Sequence, residues 1–177
     1  MLLARIIKGR FETTVNEVEP SLLKKAREEF NKAYATGLQY NYRLYDGVEE
    51  GLKYFKSTGI KLGVVTNKPQ MFAIPLLKHM KLFPYFDFIL GGEVIPERKP
   101  APEPILYCLE KLGIEPYNAM MVGDSDNDIL ASNRAGTKTV FLTYGYNHGN
   151  IDNLRIDYRF NSFTDFTEEI KNIIEIS

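Results

Sequence analysis

Residues 60–92 decide the fold, and they read IKLGVVTNKPQMFAIPLLKHMKLFPYFDFILGG. The segment begins with a short apolar run, Ile60 to Val65, and ends with a second one, Phe86 to Leu90. Between the two runs, Pro69 to Met80 has the length and the apolar content of a helix. Short apolar runs that alternate with helices are typical of crossover units, so the segment predicts a parallel sheet.

The same alternation continues downstream of this segment. Three further short apolar runs follow, at Ala119 to Val122, Thr139 to Leu142 and Tyr158 to Phe160. Helices are predicted around them, marked by apolar side chains at helical spacing near Ile105, Ile129 and Ile170. We therefore predict an α/β domain over residues 46–177, with a parallel sheet and flanking helices.

The first part of the chain, residues 1–45, is predicted to be helical and separate from the α/β domain. Ser21 to Ala35 places apolar side chains four residues apart, with charged residues between them. Gly37 is a plausible helix end, and Gln39 to Asp46 is a polar and aromatic linker.

Composition excludes several classes of partner for this chain of 177 residues. Lys and Arg number 22 and Asp and Glu number 23, so the net charge of -1 gives no general attraction to nucleic acid. No apolar run approaches the roughly 20 residues that span a bilayer, so no membrane segment is expected. The single cysteine, Cys108, cannot form an internal disulfide, which favours the cytoplasm.

The sharpest candidate site is VGDSDND, residues 122–128, in which three carboxylates alternate directly after a predicted strand. All-oxygen ligands of this kind suit Mg²⁺ or Ca²⁺. A calcium-binding helix-loop-helix is excluded, because counting from Asp124 its required Gly and Glu positions hold Ile129 and Ala135. An Asp-rich turn that caps a helix starting near Asn127 explains the spacing equally well, so both interpretations stay open.

Two other polar stretches follow predicted strands. Thr66 and Asn67 end the first apolar run, where a hydroxyl and a helix amino end can hold a phosphate oxygen. Lys99 lies in the proline-rich loop 98–104, where it can place one positive charge on a phosphate. Taken alone, a plain helix cap and a stiff solvated loop explain these two stretches better.

The three stretches together carry a family resemblance. Lys99 follows Thr66 by 33 positions, and Asp124 follows Lys99 by 25. VVTNKP, KPAP and GDSDND in this order resemble the second, third and fourth motifs of the haloacid-dehalogenase superfamily of phosphohydrolases. TYGYN, residues 143–147, is similar to a feature of the phosphoglycolate phosphatase group within that superfamily.

The resemblance implies a role for each matching residue. Thr66 would be a catalytic residue that hydrogen-bonds the transferring phosphoryl group, with help from the Asn67 backbone. Lys99 would be a catalytic residue that neutralises charge on the phosphate. Asp124 would bind Mg²⁺, and Asp128 would complete or orient the metal site. The implied substrate is a small phosphorylated metabolite, 2-phosphoglycolate in the full-length relatives, and residues 1–45 would be part of a helical cap.

One element of the resembled family is absent from this sequence. The family reaction uses an Asp nucleophile in an Asp-x-Asp-Gly-Thr element after the first strand. The only Asp-Gly pair here is Asp46-Gly47, which Val48 follows, and Leu44 stands two positions before the Asp. We therefore expect a shortened N-terminus, no central first strand and little or no activity of this chain alone.

Loss of a central strand would leave the strands before Thr66 and before Gly123 with unpaired edges. The two strands could close up, the chain could self-associate or a second chain could fill the gap, or the fold could be marginal. Alternative functions are a non-catalytic phosphate-binding, metal-binding or interaction module, and a truncated gene remnant. A phospho-receiver domain is set aside, because its acidic residues should precede the Thr and Lys.

Overall fold

The structure is a computed structural model, and it describes residues 16, 18–37, 42–145 and 151–176. The chain divides into two compact units, Met1–Tyr42 and Arg43–Ser177. In the first unit, helix α1 (Pro20–Gly37) contains the helix predicted over Ser21 to Ala35. Residues 1–15, 17 and 38–41 of the predicted cap lie outside the described residues, and the role of this unit as a cap stays a prediction.

The second unit alternates strands and helices along its length. Its elements are α2 (Val48–Ser57), β1 (Gly63–Pro69), α3 (Gln70–His79), β2 (Phe88–Gly92), α4 (Glu103–Leu112), β3 (Met120–Gly123), α5 (Asp126–Ala135), β4 (Lys138–Leu142), β5 (Tyr158–Phe160) and α6 (Phe163–Ile176). Every strand pair in these residues is parallel. The predicted α/β class with a parallel sheet and flanking helices is confirmed.

The strands form two ladders rather than one continuous sheet. β1 pairs with β2, and β3, β4 and β5 pair in that order. Within the described ranges no strand precedes β1 and no ladder joins β1 to β3, as expected for a fold that lacks the family's central first strand. Of the outcomes considered for that gap, direct closure of β1 onto β3 is therefore not what the structure shows.

β1 begins and ends later than predicted. The sequence predicts a strand over Ile60 to Val65, whereas the strand spans Gly63–Pro69. Val65 pairs with Leu90 and Pro69 with Gly92, so three β1 residues lie opposite one β2 residue between these pairs. Because of this bulge, the strand continues through the polar residues that follow Val65. Ile60 and Leu62 lie before the strand and pack against an apolar core cluster.

Two apolar clusters hold the two ladders together. On one face, α2, β4 and α6 contribute Phe55, Val140, Leu142 and Phe166, with Leu62 and Val122 packed against them. On the other face, α4 and α5 contribute Ile105, Leu109, Ala131 and Ala135, with Val65 and Met121 against them. Because neighbouring strand residues point to opposite faces, Met121 and Val122 join different clusters. Both clusters therefore contact the chain around β1 and around β3.

In the described part of the chain, no helix combines the length and the apolar character needed to cross a bilayer.

Candidate phosphate and metal site

The candidate residues converge at the carboxyl ends of β1 and β3. Thr66 and Asn67 lie in the β1 bulge, Lys99 lies in the loop between β2 and α4, and Asp124 directly follows β3. Asp128 lies in the first turn of α5. In open parallel sheets this edge is where ligands bind, since the connecting loops and helix amino ends meet there.

The Lys99 ammonium is the centre of the cluster. Its Nζ donates to Asp128 Oδ1 at 2.6 Å and to the backbone oxygen of Val65 at 2.6 Å. The side chains of Lys99 and Asp128 are only 9% and 11% exposed. The Lys99 ammonium therefore links β1, the β2–α4 loop and the start of α5, which lie far apart in the sequence.

Asn67 holds the backbone of Lys99 through both ends of its side-chain amide. Nδ2 donates to the Lys99 carbonyl at 2.8 Å, and Oδ1 accepts from the Lys99 N–H at 3.1 Å. From the other side, Arg134 on α5 donates to the Pro100 carbonyl at 2.7 Å. The loop that carries Lys99 is thus tied to β1 and to α5.

The Thr66 hydroxyl keeps its proton available. Its Oγ1 accepts a hydrogen bond from the Lys68 N–H at 3.1 Å. A hydroxyl donates once and accepts twice, so this contact leaves the O–H of Thr66 to donate to another acceptor.

Asp128 has both carboxylate oxygens engaged within the protein. Oδ1 accepts from Lys99, and Oδ2 accepts from Ser125 Oγ at 2.6 Å and from the Ser125 N–H at 3.2 Å. Ser125 is the N-cap of α5, and Ser125 and Asp128 form a reciprocal capping box. The helix-cap interpretation of the Asp-rich stretch therefore holds for Asp128, and its part in a metal site stays a prediction.

The Asp124 side chain lies directly against the backbone of Gly145. A Cβ built at Gly145 would collide with the Asp124 carboxylate, so the loop after β4 can pass this close only as glycine. Gly123 is constrained in the same way, because a Cβ there would collide with the side chain of Asp128. Two glycines thus make room for the two carboxylates.

Asp126, which the sequence leaves as a turn residue, opens helix α5, and its carboxylate accepts from the Asn127 N–H at 2.9 Å. Among the described residues no group of three or more His, Cys, Asp or Glu side chains forms a cation site. Any metal here would need ligands besides these side chains.

Tyr144 adds a buried hydroxyl near Asp124. Its oxygen has no hydrogen-bond partner among the described residues, and its ring meets the ring of Tyr45 edge-on, with centroids 4.6 Å apart. Burial raises the pKa of the Tyr144 hydroxyl, and Tyr45 and the Asp124 carboxylate raise it further. The group therefore stays protonated and can donate. Tyr146 and Asn147 of the same predicted motif lie outside the described residues.

Sequence reasoning missed three parts of this site. The Ser-x-x-Asp spacing of Ser125 and Asp128 is a capping-box signal that could have been found. The sequence analysis assigns a phosphate-binding role only to the Asn67 backbone, so it does not predict the contacts of the Asn67 side chain. The Val65 carbonyl carries no sequence signal, since every residue has one.

Residues 3–142 match the haloacid dehalogenase-like hydrolase family, and this range contains every residue of the cluster built around Lys99. The chain belongs to that family. The resemblance inferred from three short motifs is therefore confirmed at the level of this hydrolase family.

Two curated hydrolases are similar to this chain in sequence. It is 41% identical over 171 residues to a phosphoglycolate phosphatase of Nitrosococcus oceani, covering 96% of this chain and 75% of that protein. It is 44% identical over 136 residues to phosphoglycolate phosphatase 1 of Pseudomonas aeruginosa, covering 71% and 50%.

A solved structure gives the same result. The crystal structure of a predicted phosphoglycolate phosphatase from Haemophilus somnus superposes with a TM-score of 0.80 at 37% identity, covering 86% of this chain and 68% of that one. The chain thus spans between half and three quarters of the length of these three relatives.

Proposed function

We propose that this chain supplies the phosphate-binding and magnesium-binding groups of a phosphomonoester hydrolase of the phosphoglycolate phosphatase type. The observation that carries the proposal is the convergence of Lys99 with Asp128 and the end of β1. Relatives called phosphoglycolate phosphatase support the substrate class, a small phosphorylated metabolite, with 2-phosphoglycolate as the first candidate. The proposed compartment is the cytoplasm, because Cys108 is a buried free thiol.

The residues fit the binding of phosphate. Lys99 would neutralise charge on the phosphoryl oxygens, and the O–H of Thr66 would donate to one of them, beside the Asn67 backbone. Transfer of a phosphoryl group asks chiefly for positioning and for charge stabilisation, which an ammonium and a hydroxyl supply. The amino end of α5 adds partial positive charge on the same side.

The residues also fit Mg²⁺, which favours one or two carboxylates together with water and phosphate oxygens. Asp124 would be the direct ligand, since both oxygens of Asp128 already accept hydrogen bonds. Asp128 would then act by orienting Lys99 and the start of α5. The cation would supply further neutralisation of phosphate charge.

A second candidate function follows from the missing nucleophile. The sequence has no Asp-x-Asp-Gly-Thr element, and no described strand lies between β1 and β3. A chain with a phosphate site but no nucleophile is a binding module rather than an enzyme. We therefore propose that this chain binds phosphate and Mg²⁺ but does not turn over by itself.

The test measures binding and turnover separately on the 177-residue chain. Inorganic phosphate and Mg²⁺ binding are measured by calorimetry, and phosphate release is measured from 2-phosphoglycolate and from an aryl phosphate. Asp124→Asn and Lys99→Met are the site variants. Asp152→Asn, in the chain between β4 and β5, removes the same charge and is the control for the Asp124 variant.

Binding that Asp124→Asn or Lys99→Met weakens, without turnover, is the expected result. Turnover that requires Asp124 would support the hydrolase function over the binding module. It would also show that a nucleophile is available, supplied for example by a second chain. Absence of both binding and turnover would refute the proposed function.

A further inference from the structure

We propose that Asn67 is a positioning residue of this site, acting through the backbone of Lys99 rather than on the phosphate itself. The inference rests on the proposed function, because it assigns a residue to the same phosphate site. It goes beyond the expected role of Asn67, which concerned only the Asn67 backbone.

The contact is two-sided and specific to an amide. One Asn67 side chain donates to the Lys99 carbonyl at 2.8 Å and accepts from the Lys99 N–H at 3.1 Å. Among the uncharged side chains of similar size, only an amide presents a donor and an acceptor side by side. The pair fixes both the place and the direction of the Lys99 peptide, 32 residues away in the sequence.

The position of Asn67 is itself set by the sheet. Asn67 lies in the β1 bulge, where the ladder with β2 is interrupted between Val65 and Pro69. Bulges re-aim side chains that a regular strand would point elsewhere. A Cβ at Gly92 would collide with the Asn67 carbonyl, so β2 approaches Asn67 closely because residue 92 is glycine.

We call the two hydrogen bonds between Asn67 and Lys99 the clamp. Together with the contacts of the ammonium, the clamp holds Lys99 both at its backbone and at its Nζ. The ammonium is held by Val65 and Asp128, and the backbone is held by Asn67. A Lys side chain has many rotamers, and ordering it when phosphate binds would cost affinity. Because both ends of Lys99 are held in advance, the charge is already in place.

The experiment compares Asn67→Ala with Asn133→Ala in the full chain. Asn133 also donates its amide to backbone carbonyls, those of Ile129 and Arg155, at 2.6 and 2.9 Å, and neither partner belongs to the loop that carries Lys99. Inorganic phosphate affinity is read by ³¹P NMR titration, and amide hydrogen exchange is read at Lys99. Asn67→Ser, whose hydroxyl cannot span both groups, replaces the Ala variant if that variant fails to fold.

We expect Asn67→Ala to weaken phosphate binding by about tenfold and to speed exchange of the Lys99 amide, whereas Asn133→Ala leaves both unchanged. In a Lys99→Gln background, Asn67→Ala should cause little further loss of affinity, since its effect passes through Lys99.

Three results would overturn the inference. Equal effects of the two Asn variants would mean that Asn67 has only a structural role. An undiminished effect of Asn67→Ala in the Lys99→Gln background would mean that Asn67 contacts phosphate directly. If the unaltered chain binds no phosphate, the proposed function fails first, and the inference fails with it.

Discussion

Asp128 does more for the structure than its partner Lys99. Its carboxylate accepts from Lys99 on one oxygen and completes the Ser125 capping box on the other. We expect Asp128→Ala to lower the free energy of unfolding by about 3 kcal/mol, because it leaves a nearly buried ammonium without its counter-ion and also removes the carboxylate half of the capping box. Lys99→Met should cost less, since Asp128 keeps its Ser125 donors. Urea unfolding of both variants measures this asymmetry, and equal costs would contradict it.

Gly145 is predicted to control the place of the Asp124 carboxylate. A methyl group at this position would collide with that side chain, so Gly145→Ala should displace it. The expected result is a loss of Mg²⁺ affinity of about tenfold, corresponding to roughly 1.4 kcal/mol. Calorimetry with Mg²⁺ measures the loss. Thr143→Ala is the control in the same loop, because its hydroxyl bonds Asn161 instead. Unchanged affinity in Gly145→Ala would show that Gly145 does not control the place of the carboxylate for cation binding.

At the scale of elements, Asp87 joins the start of β2 to α2 and to the chain before β1. Its carboxylate accepts from Lys56 at 2.7 Å and from the Leu62 N–H at 2.9 Å. The hydrogen bond from Lys56 is the main cause of the lowered pKa of Asp87, and the hydrogen bond from the Leu62 N–H is the second cause. A carboxyl group with a lowered folded-state pKa stabilises the fold above its unfolded-state pKa, and this stabilisation is lost as the pH falls through the folded-state pKa.

We therefore expect Asp87→Asn to lower the free energy of unfolding by about 1 kcal/mol at neutral pH and by much less in acid. Chemical unfolding at pH values above and below the ordinary range of an Asp side chain measures the difference. Asp165→Asn, in the first turn of α6, is the charge-matched control. A penalty that is the same at both pH values would show that ionisation of Asp87 does not matter.

The sequence was informative about elements because their apolar patterns are local. Tyr158 to Phe160 was predicted to the residue, and β3 and β4 to within one residue. β1 was misplaced because its ladder continues through polar residues by means of a bulge, and a bulge depends on the partner strand.

The site was predictable in part for the same reason. Thr66 and Asp124 were singled out because they follow predicted strands, and Lys99 because it lies between prolines on a predicted strand-to-helix loop. The clamp between Asn67 and Lys99 joins residues 32 positions apart, so only the folded chain reveals it.

At the scale of the whole α/β unit, we expect the gap between β1 and β3 to limit the stability. Both apolar clusters contact the chain on each side of it, but within the described residues no backbone ladder crosses it. The Lys99 ammonium satisfies one carbonyl of β1, that of Val65. Among the described residues the other edge groups that face this gap have no ladder partner, and unpaired edges favour association with a further chain.

We expect the monomer to be less stable than the roughly 5–15 kcal/mol of ordinary domains, and its unfolding midpoint to rise with protein concentration. Thermal unfolding over a range of concentrations, with sedimentation for the oligomeric state, measures both. Met120→Lys, at the start of β3, should weaken association, because a charge on an edge strand discourages pairing. Tyr117→Lys is the matched control, since this exposed aromatic lies outside the strand. A concentration-independent transition near 10 kcal/mol or more would show that the gap costs the fold little.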